Sequence, residues 1–111
     1  MVSLPLAPTG EIEALLLGAD GQALGGITVE LTDGASRVQF QTVSDFDGYV
    51  LFDSVPYGQY RMRIDHRQAA ALSVQPGLGD PLRIDQRKAS VRLGRVRLAA
   101  QPVVAANGQS P

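Results

Sequence analysis

Through most of the chain, apolar and polar residues alternate in short runs separated by Gly, Asp and Pro, the pattern of strands joined by tight turns. Side chains in a strand repeat every two residues, so each run assigns its own faces. Gly10 to Leu17 sets Ile12, Ala14 and Leu16 against Glu11, Glu13 and Leu15. Leu15 and Leu17 interrupt the polar face, which predicts that the second half of this strand is covered on both sides. After the turn cluster Gly18–Gln22, the stretch Gly25 to Thr32 points Ile27, Val29 and Leu31 inward and Thr28, Glu30 and Thr32 outward. Asp33-Gly34 reverses the chain. Arg37 to Ser44 then places Val38, Phe40 and Thr42 on one face, with Arg37, Gln39 and Gln41 on the other.

The densest pattern lies between Thr42 and Asp65. Asp47-Gly48 supplies a residue pair that tolerates a positive φ. Val50 and Phe52 then share a face, and Val55-Pro56-Tyr57-Gly58 makes a corner. Tyr60, Met62 and Ile64 alternate with Arg61, Arg63 and Asp65 on the next strand. His66 to Pro81 is the least strand-like region: Gln68 to Leu72 allows one helical turn, and Pro76-Gly77 and Gly79-Asp80-Pro81 make most of it a mobile loop. Leu82–Ile84 begins a late strand and Ala89 to Leu98 gives the last. There the phase changes, because Val91 and Leu93 are odd-numbered whereas Val96 and Leu98 are even. One straight strand would expose one pair, so a bulge or bend is predicted at Gly94-Arg95. No stretch sustains the spacing of a long helix.

Strands at this spacing predict an all-β, seven-strand antiparallel Greek-key β-sandwich over residues 10–100. Residues 1–9, with Pro5 and Pro8, read as an extended linker leading into a domain cut from a longer chain. Residues 101–111 read as a disordered tail.

The layout resembles the carboxypeptidase regulatory-like domains, which have a transthyretin-like (prealbumin-like) β-sandwich fold. Gly10-Glu11-Ile12, the Asp20-Gly21 turn and Gly25-Gly26-Ile27-Thr28-Val29-Glu30-Leu31 match the start of that pattern. Thr42, Asp45, Asp47-Gly48-Tyr49, Phe52, Val55-Pro56, Gly58 and Tyr60 match its "T…D.dG.f.f..vp.G.Y" core. The likeness covers residues 10–65 well, and residues 82–99 in strand character only. It implies a non-catalytic module of a larger secreted, periplasmic or cell-surface protein. Such domains stand beside peptidase domains, in outer-membrane receptors and in pilus-assembly proteins. The chain also looks like the terminal sandwich of some fimbrial ushers. The matched residues are turn and core positions, and a fold does not dictate a chemistry.

Composition narrows the options further. A length of 111 residues allows one core, and a formal charge of -1 gives no reason to expect nucleic acid or an anionic membrane. No run reaches membrane-helix length, so direct membrane insertion of this domain is not expected. The absence of cysteine removes disulfides, thiolate metal sites and cysteine nucleophiles. Asp45 and Asp47 raise calcium, but a D-x-D-G run without a third ligand or a distal Glu is too few oxygens, and both more simply accept turn amides. His66, the sole histidine, has no partners for a triad or a metal site. The hydroxyisourate hydrolases share the transthyretin-like fold, but need several histidines and a C-terminal Tyr-Arg-Gly-Ser that is not found here. Glu11 and Glu13 read as a solvated edge that discourages pairing. We therefore expect no catalytic residue, no cofactor and no metal. Asp47, Gly48, Phe52, Pro56, Gly58 and Tyr60 are the expected structural turn and core positions, with the Tyr60 hydroxyl bonded to nearby backbone. Tyr49, Tyr57, Arg61 and Arg63 are the expected interaction surface, and Arg83, Arg92, Arg95 and Arg97 extend it into one basic patch. The partners would be other domains of the parent protein or a separate, acidic protein, and the location extracytoplasmic. The alternative is a carbohydrate-binding module, which the absence of Trp disfavours.

Overall fold

The computed structural model describes residues 9–100. The 101–111 tail and all of the 1–9 linker except Thr9 lie outside that range. Two sheets face each other. One is three-stranded in the order β4-β1-β7, built from β1 (Thr9–Leu17), β4 (Tyr49–Pro56) and β7 (Ser90–Arg97). The other is four-stranded in the order β3-β2-β5-β6, built from β2 (Thr28–Thr32), β3 (Val38–Val43), β5 (Gly58–Ile64) and β6 (Leu82–Ile84). A short helix α1 (His66–Leu72) follows β5. Packing of the two sheets buries one side of each, and the buried sides share one core. Ile12, Leu16, Val29, Leu31, Val55 and Ile64 are each 0% exposed within it.

Alternation accounts for most of these positions, and bulges for the rest. The ladder between β1 and β7 runs Glu13↔Arg92 and then Leu15↔Arg95, so β7 gains a residue there. Gly94 takes φ 68°, which lets Val91 and Leu98 both reach the core despite their opposite parity. β4 does the same through Ser54 (φ 54°), which brings Val55 to the side already occupied by Val50 and Phe52.

Several expectations are corrected. The sandwich is not wholly antiparallel: β1 pairs antiparallel with β4 but parallel with β7. β7 returns to β1 after the chain has built the other sheet, and a crossing connection of that length delivers a parallel neighbour where a hairpin cannot. Thr32 is buried although alternation points it outward, and its hydroxyl donates to the Arg61 carbonyl at 3.4 Å. The β2 ladder begins at Thr28 and not at Gly25, since Gly26 sits at φ 73°. Leu15 remains 38% exposed, so the second half of β1 is covered on one side only. Val38 is 43% exposed on the rim strand β3, where only Phe40 packs on the core. The region after Ile64 holds a full helix and not a single turn. The Asp65 carboxylate caps it by accepting from the amides of Arg67 and Gln68, and Ser73 ends it in a left-handed conformation.

The Asp-Gly turn between β3 and β4 is tied tightly to β1. The Gly48 amide donates to the Asp45 carbonyl (2.8 Å), and the Gly48 carbonyl accepts from the Leu16 amide (2.6 Å). Gly48 is at φ 82°, and a Cβ there would run into the Leu16 carbonyl oxygen. Replacing Gly48 by Val is therefore expected to lower stability by more than about 1 kcal/mol, read as a drop in the thermal or urea midpoint. An unchanged midpoint would show that the turn does not need glycine.

Candidate functional site

The polar side chains that might have carried chemistry are engaged in holding backbone. The Asp45 carboxylate accepts from the amides of Asp47 and Tyr49, at 2.9 and 3.0 Å, which leaves the Asp47 carboxylate exposed beside the turn. Asp33 accepts from the amides of Ala35 and Arg37 and pairs with the Arg37 guanidinium at 3.1 Å. The Arg37 amide above all, with the Ala35 amide and the Arg37 charge, holds this carboxyl below its ordinary range. Asp85 accepts from the amides of Arg87 and Lys88. His66 is exposed at the first position of α1. No group of three or more His, Asp or Glu side chains is placed to hold a metal among the described residues.

Of the structural positions, Asp47 and Gly48 lie at the β3–β4 turn, and Pro56, Gly58 and Tyr60 lie at the β4–β5 corner. Tyr60 is 8% exposed, and its hydroxyl donates to the Pro56 carbonyl at 2.8 Å. Its ring meets Phe40 edge-on, 6.3 Å between centroids. Burial pushes its phenol pKa up. Phe52 is buried in the core, and Gly58 opens β5 opposite Ile84 of β6.

The expected interaction surface does not come together. Tyr49 lies on the outer face of the three-stranded sheet, whereas Arg61 and Arg63 belong to β5 in the opposite sheet. Tyr57 sits at the corner between the sheets, 37% exposed. The basic patch divides in the same way: Arg61, Arg63 and Arg83 go to one sheet, Arg92, Arg95 and Arg97 to the other. Strand order decides this, and alternation along a strand does not reveal strand order. Arg63 is half-buried against Glu30 at 2.8 Å, which is cross-strand pairing and not a free cation.

What the structure does assemble is a face built on β4, β1 and β7. Tyr49 stands opposite Leu15, and Leu51 opposite Glu13. All three apolar members are exposed, at 36%, 38% and 37%. Glu11 and Glu13 do not lie on a solvated edge as expected, because β1 is the central strand of its sheet. The Glu13 carboxylate instead joins the strands: it accepts from the Tyr49 hydroxyl at 2.8 Å and pairs with Arg92 at 3.2 Å. Glu13, Ala14, Leu15, Tyr49, Arg92 and Gly94 line a shallow, mainly apolar depression there. Leu15 and Leu51 were not singled out from the sequence as contact residues. Leu15 carried a signal, since it broke the polar side of β1. Phe46, 87% exposed at the tip of the β3–β4 turn, was also missed.

No protein-family model matches the chain, and no curated protein matches it by sequence. Solved structures do match. The major pilin subunit of Bacillus cereus superposes at TM-score 0.59 with 20% identity, over 85% of this chain and 31% of the pilin. The minor pilin of Streptococcus agalactiae gives 0.56 and 20%, over 86% of this chain and 47% of that one. The 5-hydroxyisourate hydrolase of Klebsiella pneumoniae gives 0.59 and 17%, over 88% of this chain and 94% of the enzyme. The chain spans about a third of the length of the Bacillus pilin. At these identities the likeness establishes the fold, a transthyretin-like two-sheet β-sandwich.

Two measurements test the geometry. Tyr60→Phe is expected to lower stability by about 1 kcal/mol through loss of the Pro56 hydrogen bond, and Tyr60→Ala by about 3 kcal/mol or more through loss of the ring. A Tyr60→Phe midpoint equal to the parent's in urea titrations would show that the hydroxyl contributes nothing, and equal losses in the two variants would show that the ring contributes nothing. The second concerns pH. The hydrogen bond to Glu13, with that carboxylate's charge, raises the Tyr49 pKa above its ordinary 10.0. The folded chain then keeps this proton to higher pH than the unfolded chain, so the stabilisation is complete below pH 10.0 and is lost as pH rises through the folded value. The alkaline decline in stability should be shallower in Tyr49→Phe. An identical decline would mean that the Tyr49–Glu13 bond is not formed in solution.

Proposed function

We propose that the chain is a non-catalytic, carboxypeptidase regulatory-like module with a seven-strand Greek-key topology, serving structural and protein-contact roles in a larger extracytoplasmic protein. Its folded part would be residues 10–100, with 1–9 and 101–111 as flanking segments. The setting that fits best is a pilus- or fimbria-associated surface protein of the secreted, periplasmic or outer-membrane type, an usher among them.

One observation carries this reading. β1 and β7 are parallel neighbours, so the chain enters the sandwich at one end of the pair and leaves it at the other. β1 is nine residues long, about 30 Å of strand, so the start of β1 and the end of β7 lie about that far apart. A module threaded in this way lies in series with whatever precedes and follows it. Pilin neighbours support the same setting, since this fold recurs there as one part of a longer subunit. The hydrolase shares the fold, yet this chain has one histidine, which lies exposed on α1, and among the described residues no group of three or more His, Asp or Glu is placed to hold a metal. The partners would be neighbouring domains or a separate protein, with the exposed Leu15–Tyr49–Leu51 face as the contact surface. A formal charge of -1 argues against nucleic acid, and no helix among the described residues is long and apolar enough to cross a membrane.

A glycan array probed with the chain should be blank. A specific glycan signal that Tyr49→Ala or Tyr57→Ala abolishes would replace this reading with carbohydrate binding.

A further inference from the structure

The first and last strands of the fold are hydrogen-bonded to each other along their length and run the same way. The ladder pairs Glu11 with Ser90, Ile12 with Val91 and Glu13 with Arg92; past the bulge it pairs Leu15 with Arg95, Leu16 with Val96 and Leu17 with Arg97. Backbone bonds close both ends: Glu11 N–H donates to the Ala89 carbonyl at 2.8 Å, and Leu98 N–H to the Leu17 carbonyl at 2.9 Å. Side chains fasten the same seam. Arg92 pairs with Glu13 at 3.2 Å, the Ser90 hydroxyl donates to Glu11 at 3.3 Å, and the Arg97 guanidinium donates to the Ala19 carbonyl just beyond β1.

We propose that this seam is a force-bearing clamp: tension carried along the chain loads the β1–β7 ladder in shear, and the module resists unfolding under pull. A force drawing the start of β1 and the end of β7 apart acts along both strands in opposite senses. Their hydrogen bonds then share the load, and unfolding needs many to break together. A force drawing the starts of the two strands apart acts across the ladder, and breaks the bonds one pair at a time. The contacts are the same, but the barrier is not. Forced unfolding reports that barrier and not the equilibrium stability. The inference rests on the serial-module reading for the direction of pull, and on the ladder for the resistance.

The chain has no native cysteine, so handles for single-molecule pulling can be placed at will. In the full chain, T9C with A99C pulls in shear, and T9C with K88C pulls the seam open from one end. All three positions are exposed. Shear should need several-fold more force than opening at the same loading rate. Equal forces, or a lower one in shear, would overturn the clamp. If T9C/K88C melts well below the parent, T9C/R87C applies the same direction of pull. Arg97→Met should lower the shear force while leaving the opening force unchanged, and equal shear forces for parent and R97M would remove the Arg97 contact from the clamp. Failure here leaves the serial-module reading standing, whereas a specific glycan signal sinks that reading and leaves the mechanics intact.

Discussion

The structure depends on one strand being paired along both of its edges. β1 is the middle strand of a sheet with only three, so β4 and β7 reach each other only through it. Ile12 and Leu16 are fully buried and Ala14 is 4% exposed, which makes β1 the floor of the core as well as the spine of its sheet. The same strand sets the neighbouring loops. Its Leu16 carbonyl accepts from the Leu24 amide, its Leu16 amide donates to Gly48, and its Leu17 carbonyl holds Leu98. A change that shifts β1 by one residue would move the apolar set to solvent and misalign both ladders at once.

That arrangement has a kinetic consequence. The Ser90–Glu11 contact joins residues 79 positions apart, and parallel pairing cannot be made by a local hairpin. The β1–β7 ladder therefore cannot nucleate folding cheaply, because loop closure comes before any gain from the pairs. Until β7 arrives, the three-stranded sheet is a β1–β4 pair in which the β1 edge also stands open. Glu11 and Glu13 then lie on a strand whose side awaits β7, where charge discourages pairing with another chain. Once β7 is in place, the same carboxylates bond Ser90 and Arg92.

How much of this could be read from the sequence follows from what alternation encodes. It reports which side of a strand is buried, and so it marked Ile27, Val29 and Leu31, Val50 and Phe52, and Tyr60, Met62 and Ile64. A change of parity reports a bulge, which located the break near Gly94. Alternation is silent on direction and on neighbours. The parallel β1–β7 pairing and the division of the arginines between opposite faces were invisible for that reason. α1 was hidden by its length and composition: it is seven residues long, and Ala69 alone is buried, too little for a helical period to show. Its one clear signal was Asp65, a capping residue ahead of an alanine-rich run.

The candidate site shows the same limit in a different form. Carboxylates are the conventional place to look for chemistry, and here Asp33, Asp45, Asp65 and Asp85 all accept backbone amides at reversals or at the helix start. Their spacing in the sequence is the spacing of turns, so it carries information about fold and none about reaction. Exposed apolar residues have the opposite property. A single one is ordinary on a folded surface, but Leu15 and Tyr49 are direct cross-strand partners and Leu51 follows on the same side of β4. Packing the core required none of the three, since β1 and β4 bury their other sides. The apolar exposure of this face is therefore left over by the fold, and Glu13, bonded to Tyr49 and Arg92, fixes the shape it presents.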